Sequence, residues 1–297
     1  MPSRINLMFT YGLLVFIWAS TPLAIVWSVA DLHPMWALVL RFFIALPLAV
    51  LVLLFFKIKF PRDKIALLSY LAGSLSLIGS QIFTYAATPY LSSGLIALMF
   101  GLAPIMAGLI GRFGFEQKLG NLQWVGMGTS IIGLALICFS GSQKHVQPIG
   151  ILFMLISVFA YALSIFLVKK INADVQPMAQ ATGSILVSTL CALVLLPWIW
   201  QYAPTHLPAA KSFFALIYTV LMASLIAMFC YFKLVQNLKA TTLSLTTVMT
   251  PLIAILIGAY LNHEQLSAQV FVGASIILLG LLLYFFQELK QYRRLKN

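Results

Sequence analysis

Eighteen lysines and arginines lie along the 297 residues, and Arg41 is the one placed within a long apolar run, "ALVLRFFIALPLAVLVLLFF" from Ala37 to Phe56. A guanidinium keeps its charge at any reachable pH, so its surroundings must supply a partner, a wet cavity or a route to the surface. Arg41 can snorkel outward or reach Asp31 in the preceding loop. It can also anchor the outer end of a cavity, or attract a substrate carboxylate. Its place near one end of the run favours the anchoring or gating role over direct ligation. Gln81, at similar depth on the next apolar stretch, is a side chain it can meet.

Hydroxyls, amides and rings supply the rest of the chemistry. At helical spacing Gly73, Ser76, Ser80 and Thr84 share one face, with Gln81 and Tyr85 on an adjacent one. Thr241, Thr242, Ser244, Thr246, Thr247 and Thr250 crowd a later stretch. Each hydroxyl can bond its own helix carbonyl and is weak evidence alone, but two polar faces together predict a wet cavity. Trp18, Tyr161 and Tyr231 lie within apolar runs rather than at the interface where such rings usually sit. They are expected to line the same pathway. Pro104 and Pro251 each remove a backbone donor and predict kinks in two helices.

Catalysis finds little support. Asp31, Asp63, Glu116, Asp174, Glu264 and Glu288 all fall in loops or at the ends of apolar runs. "HEQLS" at His263–Ser267 lacks the second histidine of a zinc helix, and His33, His145 and His206 are loop residues. Cys138, Cys191 and Cys230 sit inside apolar runs without disulfide or metal spacing. No enzyme activity, cofactor or metal is expected.

The elements that must position these residues follow from composition. Residues are 62% hydrophobic and 8% charged, against roughly 25% charged in soluble domains. That composition describes a polytopic helical membrane protein. Ten apolar stretches approach the spanning length of about 20 residues: 7–29, 35–56, 65–85, 91–113, 122–140, 148–170, 177–200, 212–235, 240–260 and 268–287. The first is too long for a signal-peptide core and no cleavage site follows it, so it reads as a retained helix. With both termini cytoplasmic, the inside segments hold fifteen lysines and arginines and the outside loops two, Lys144 and Lys211. The net charge of +12 is therefore that of positive inner loops, and no nucleic-acid partner is expected. The partners are a lipid bilayer and a small-molecule substrate. Small-residue faces such as Ser93, Ala97, Gly101, Pro104, Gly108 and Gly111 pack helices closely and suit a monomer or a homo-oligomer alike.

The second half of the chain echoes the first. A constant offset of 147 aligns Leu91 with Leu238, Pro104 with Pro251, Gly111 with Gly258, Gly126 with Gly273 and Gly133 with Gly280. The predicted units are thus two five-helix repeats, 1–145 and 146–297, and an odd number of spans inverts the second. Inverted repeats expose a central site alternately to either face in secondary transporters. The glycine pairs are read as packing positions.

"FIWASTP", "LRFFIALP" and the twice-repeated Pro, Glu, Gly, Gly pattern resemble the EamA-type, ten-helix branch of the drug/metabolite transporter superfamily. The resemblance covers nearly the whole chain, with one departure, Trp18-Ala19 where Trp-Gly is common. It implies transport of small metabolites, often outward across a bacterial inner membrane, with the fifth and tenth helices beside the pathway. Amino acids or their derivatives are the expected substrates. A polyspecific drug or cation exporter is the alternative, and an intramembrane enzyme is a more distant one.

Overall fold

A backbone in lipid must satisfy its own polar groups, and a helix does so within one segment. Among the described residues the regular elements are helical. The computed structural model describes residues 4–115, 119–138, 147–237, 246–264 and 267–294.

In chain order, α1 is Arg4–Ser28 and α2 is Pro34–Phe55. The third apolar stretch is α3, Lys64–Ser74, a π-helical segment Leu75–Gly79, and α4, Ser80–Ala87. The fourth is α5, Ser93–Phe100, and α6, Ala103–Phe115. Then come α7, Asn121–Cys138, α8, Pro148–Ile171, and α9, Pro177–Ile199. The eighth stretch is α10, Ala210–Tyr218, a second π-helical segment Thr219–Ile226, and α11, Ala227–Asn237. Finally α12 is Thr246–Leu261 and α13 is Ala268–Arg294.

Among the described residues, eight helices are long and apolar enough to cross a membrane. Two shorter apolar helices, Asn121–Ile137 and Met249–Leu261, occupy the fifth and ninth expected positions. Large apolar side chains such as Leu54, Val194 and Phe271 are exposed on the outer faces, as a lipid solvent requires.

Two features depart from simple helical periodicity. The stretch 91–113 breaks at Gly101-Leu102, and Pro104 stands in the first turn of the helix that resumes, rather than in a helix interior. Its missing N–H leaves the Phe100 carbonyl without the usual helix donor. Gly101 N–H turns back to the Ala97 and Leu98 carbonyls, and Leu102 N–H to Met99. The other departure is the pair of π segments, which the offset of 147 brings into register.

Several helices pack against the stretch that the offset of 147 pairs with them. α7 lies against α13 and α2 against α9, each meeting the helix at the offset of 147, and α5 of the fourth stretch lies against α12 of the ninth. The contact of α4 with α8 has its counterpart in α11 with α1. A Cβ on Gly126 would lie 2.5 Å from the Gly280 carbonyl, and one on Gly133 2.6 Å from that of Gly273. The glycines paired by the offset of 147 thus meet crosswise, Gly126 against Gly280 and Gly133 against Gly273.

His33 caps α2 outside the apolar runs. Its Nδ1 accepts the Met35 N–H at 3.3 Å, and its ring stacks on Tyr202 with centroids 4.4 Å apart. Burial lowers its pKa below the ordinary 6.5. The unfolded chain then binds the proton more readily, so stability is expected to fall as pH drops through about 6.5 and to be flat above it. Unfolding in detergent between pH 5 and 7.5 checks this. His33→Asn, which keeps a capping side chain, should flatten the curve, and an unchanged slope would remove His33 as its source.

Candidate substrate cavity

The π segments and the proline-interrupted helices converge on one cavity of about 200 Å³. A π turn adds a residue per turn, which decides which side chains of the third stretch reach it. In an unbroken α-helix Ser76 and Ser80 share a face. Here Gly73, Ser76, Leu77 and Gln81 line the cavity, and Ser76 and Gln81 are five residues apart. Ser80 and Thr84 rotate onto α8 instead, meeting the Ser157 hydroxyl at 2.9 and 2.8 Å. Tyr85 is also displaced from the cavity, fully buried in the packing around α2 and α9, and its hydroxyl has no hydrogen-bond partner.

Arg41 is 3% exposed and neither snorkels outward nor reaches Asp31. Asp31 accepts from the Ala209 N–H at 3.1 Å and the Ser212 hydroxyl at 2.9 Å. Arg41 turns inward and forms part of the cavity wall. Its Nε donates to Ser224 Oγ at 2.9 Å and its Nη1 to Gln81 Oε1 at 3.2 Å. Ser224 belongs to the second π segment and donates its own proton to the Thr219 carbonyl at 3.0 Å, five residues back. Gln81 follows the first π segment. The guanidinium is thus held by one wide turn and by a side chain just beyond the other.

Aromatic rings form another part of the wall. Trp18 and Tyr231 have centroids 5.3 Å apart, and Tyr161 meets Phe100 edge-on at 6.0 Å. Pro22 in α1 and Pro251 in α12 also line the cavity. Each leaves a carbonyl four residues earlier, at Trp18 and Thr247, without its helix donor. Thr250 lines the cavity as well, and its buried hydroxyl has no hydrogen-bond partner. The Thr247 side chain lies outside the described part of the structure, as do residues 241–245.

Among the expected pathway residues, Trp18, Arg41, Ser76, Gln81, Tyr161, Tyr231 and Thr250 come together, with Pro251 beside them. Pro104 stands one residue beyond Ala103, which lines the wall. Sequence reasoning left out Lys169, Ser164, Ser184 and Phe100. Lys169 is an exposed lining residue near the end of α8, and it reads in the sequence as an ordinary inner-loop charge. Ser164 donates to the Ala72 carbonyl at 2.7 Å, just before the first π segment. Among the described residues, neither α7 nor α13 contributes to the wall.

A lipid-facing helical bundle with a central cavity at broken and wide-turned helices has the construction of a membrane transporter. The chain belongs to the EamA-like transporter family, whose model matches residues 7–139 and again 148–286. It is similar to the uncharacterized inner membrane transporter YedA of Escherichia coli (strain K12), at 27% identity over 91% of this chain and 87% of that one. It is also similar to Protein PagO of Salmonella typhimurium, at 23% identity over 94% of this chain and 93% of that one. A solved crystal structure shares the fold, with a TM-score of 0.67 at 15% identity over 99% of this chain and all of its own.

Proposed function

We propose that this member of the family exports small metabolites, such as amino acids or their derivatives, across the bacterial inner membrane. It works by alternating access between two inverted five-helix halves, 1–145 and 146–297, with both termini cytoplasmic. The observation that carries the reading is Arg41, bonded in the cavity wall to Ser224 of the second π segment and to Gln81, two residues beyond the first. A side chain of the first half that bonds to Ser224 in the second half senses their relative movement. The crosswise glycine contacts and the doubled family match support the repeat.

Polarity supports an inward-facing state. On the side that the charge bias makes cytoplasmic, Lys169 stands at the rim of the cavity. On the opposite side Glu264 joins the end of α12 to the start of α5. The drug or cation reading is weaker, because among the described residues the charged lining residues are Arg41 and Lys169, both cations.

Counterflow in liposomes tests the reading, with a panel of amino acids, N-acylated derivatives and lipophilic cations. Saturable exchange is expected for at least one carboxylate-bearing compound. Flux that never saturates would replace the carrier with a channel, and exchange confined to cations would overturn the substrate class.

A further inference from the structure

Arg41 is buried and bonded to two neutral side chains. Among the described residues no carboxylate comes within ion-pair distance of it. A guanidinium carries five N–H donors, of which Ser224 and Gln81 take one each. Three donors and a full positive charge remain in a low-dielectric wall. A buried charge left in that condition is costly unless an anion reaches it.

We infer that the cavity takes an organic monocarboxylate with an apolar or aromatic body and without a free ammonium group, its carboxylate seated on the donors of Arg41 that Ser224 and Gln81 leave open. This rests on the transporter reading and narrows its substrate to deaminated or N-acylated derivatives and similar organic acids. The two neutral partners orient the planar fork, and an arginine fork presents two parallel donors to a carboxylate. The body of the molecule meets Trp18, Tyr161, Tyr231 and aliphatic wall residues such as Ile25 and Ile96. The unpartnered Thr250 hydroxyl offers a further polar contact. Lys169, at the rim, adds the same sign of charge and favours the approach of anions.

The absence of an acidic lining residue among the described residues distinguishes this class from zwitterions. A substrate ammonium would enter a wall whose charges are both positive, with aromatic faces as its compensation. N-acylation removes that group and keeps the carboxylate.

The test is equilibrium binding to the purified full chain in detergent, read by thermal shift and by tryptophan fluorescence, followed by counterflow in liposomes. The probes are N-acetyl-L-phenylalanine, its uncharged amide, L-phenylalanine and phenethylamine. N-acetyl-L-phenylalanine is expected to bind at least about tenfold more tightly than the amide or phenylalanine, with phenethylamine weakest. Arg41→Gln should abolish the preference over the amide. Where that variant fails to fold, the ligand series on the unaltered protein decides alone. Equal binding of acid and amide, no binding of the acid, or tighter binding of phenylalanine than of its N-acetyl form would each overturn the inference. Binding of the acid without saturable exchange would uphold the ligand class and sink the carrier reading. Exchange of phenylalanine or phenethylamine in preference to the acid would keep the carrier and sink the class.

Discussion

Gly126→Ala is expected to destabilise the protein by about 1–3 kcal/mol, the cost of forcing an extra methyl into a tight contact. The added Cβ would meet the Gly280 carbonyl at 2.5 Å and the Tyr284 N–H nitrogen at 2.7 Å. Both are backbone atoms, so no side-chain rotation can relieve the overlap and α7 must move away from α13. Gly128 lies half a turn further along the same helix, exposed, and a methyl group there would meet nothing within 4 Å. Gly128→Ala should therefore be neutral or stabilising by up to about 1 kcal/mol, since alanine is the better helix former. Thermal unfolding in detergent compares the two. Equal melting temperatures would show that the close approach of α7 and α13 contributes nothing to stability.

Glu264→Ala is expected to loosen the end of the bundle where α12 meets α5. The Glu264 carboxylate accepts from the Ser93 N–H at 3.0 Å, the Ser93 hydroxyl at 2.7 Å, the Gly94 N–H at 3.2 Å and the Asn262 amide at 3.0 Å. It caps two of the orphan donors at the start of α5, while Ser92 Oγ accepts the Leu95 N–H at 3.4 Å. Asn262 Oδ1 in turn accepts the Trp27 indole N–H at 2.8 Å, and Lys211 lies over the Trp27 ring at 4.1 Å. Charge-assisted bonds of this kind contribute about 1.5–3 kcal/mol each. If they favour the state closed at that end, removing them should raise the opening population on the order of tenfold.

The readout is labelling of Ala97→Cys by a membrane-impermeant thiol reagent added outside, with Cys138, Cys191 and Cys230 replaced by serine. Ala97 lines the cavity one turn below the Glu264 contact. Faster labelling supports a closing role. A lower melting temperature with unchanged labelling would reduce Glu264 to a helix cap.

Composition alone determined the solvent of this chain, because 62% hydrophobic residues in runs near the spanning length admit few other environments. An internal echo is present in the sequence as well, where Pro104/Pro251 and the paired glycines recur at one offset. The meeting of Arg41 with Gln81 was legible too, since it needs only two side chains at matching depth on adjacent stretches. What the sequence could not determine was helical phase. It predicts one face for Ser76, Ser80 and Thr84, and a single wide turn at Leu75–Gly79 sends the last two to Ser157 and brings Gln81 into the cavity. The π geometry leaves no composition signal, because it depends on how neighbouring helices meet the backbone. Ser224 was hidden for the same reason, an ordinary serine 183 residues from Arg41 until packing joins them. Tertiary structure also decided that Arg41 faces inward and that Asp31 is occupied elsewhere. Periodicity and charge are local properties and can be read along a chain; the partner of a buried charge is set by which helices come to lie beside it.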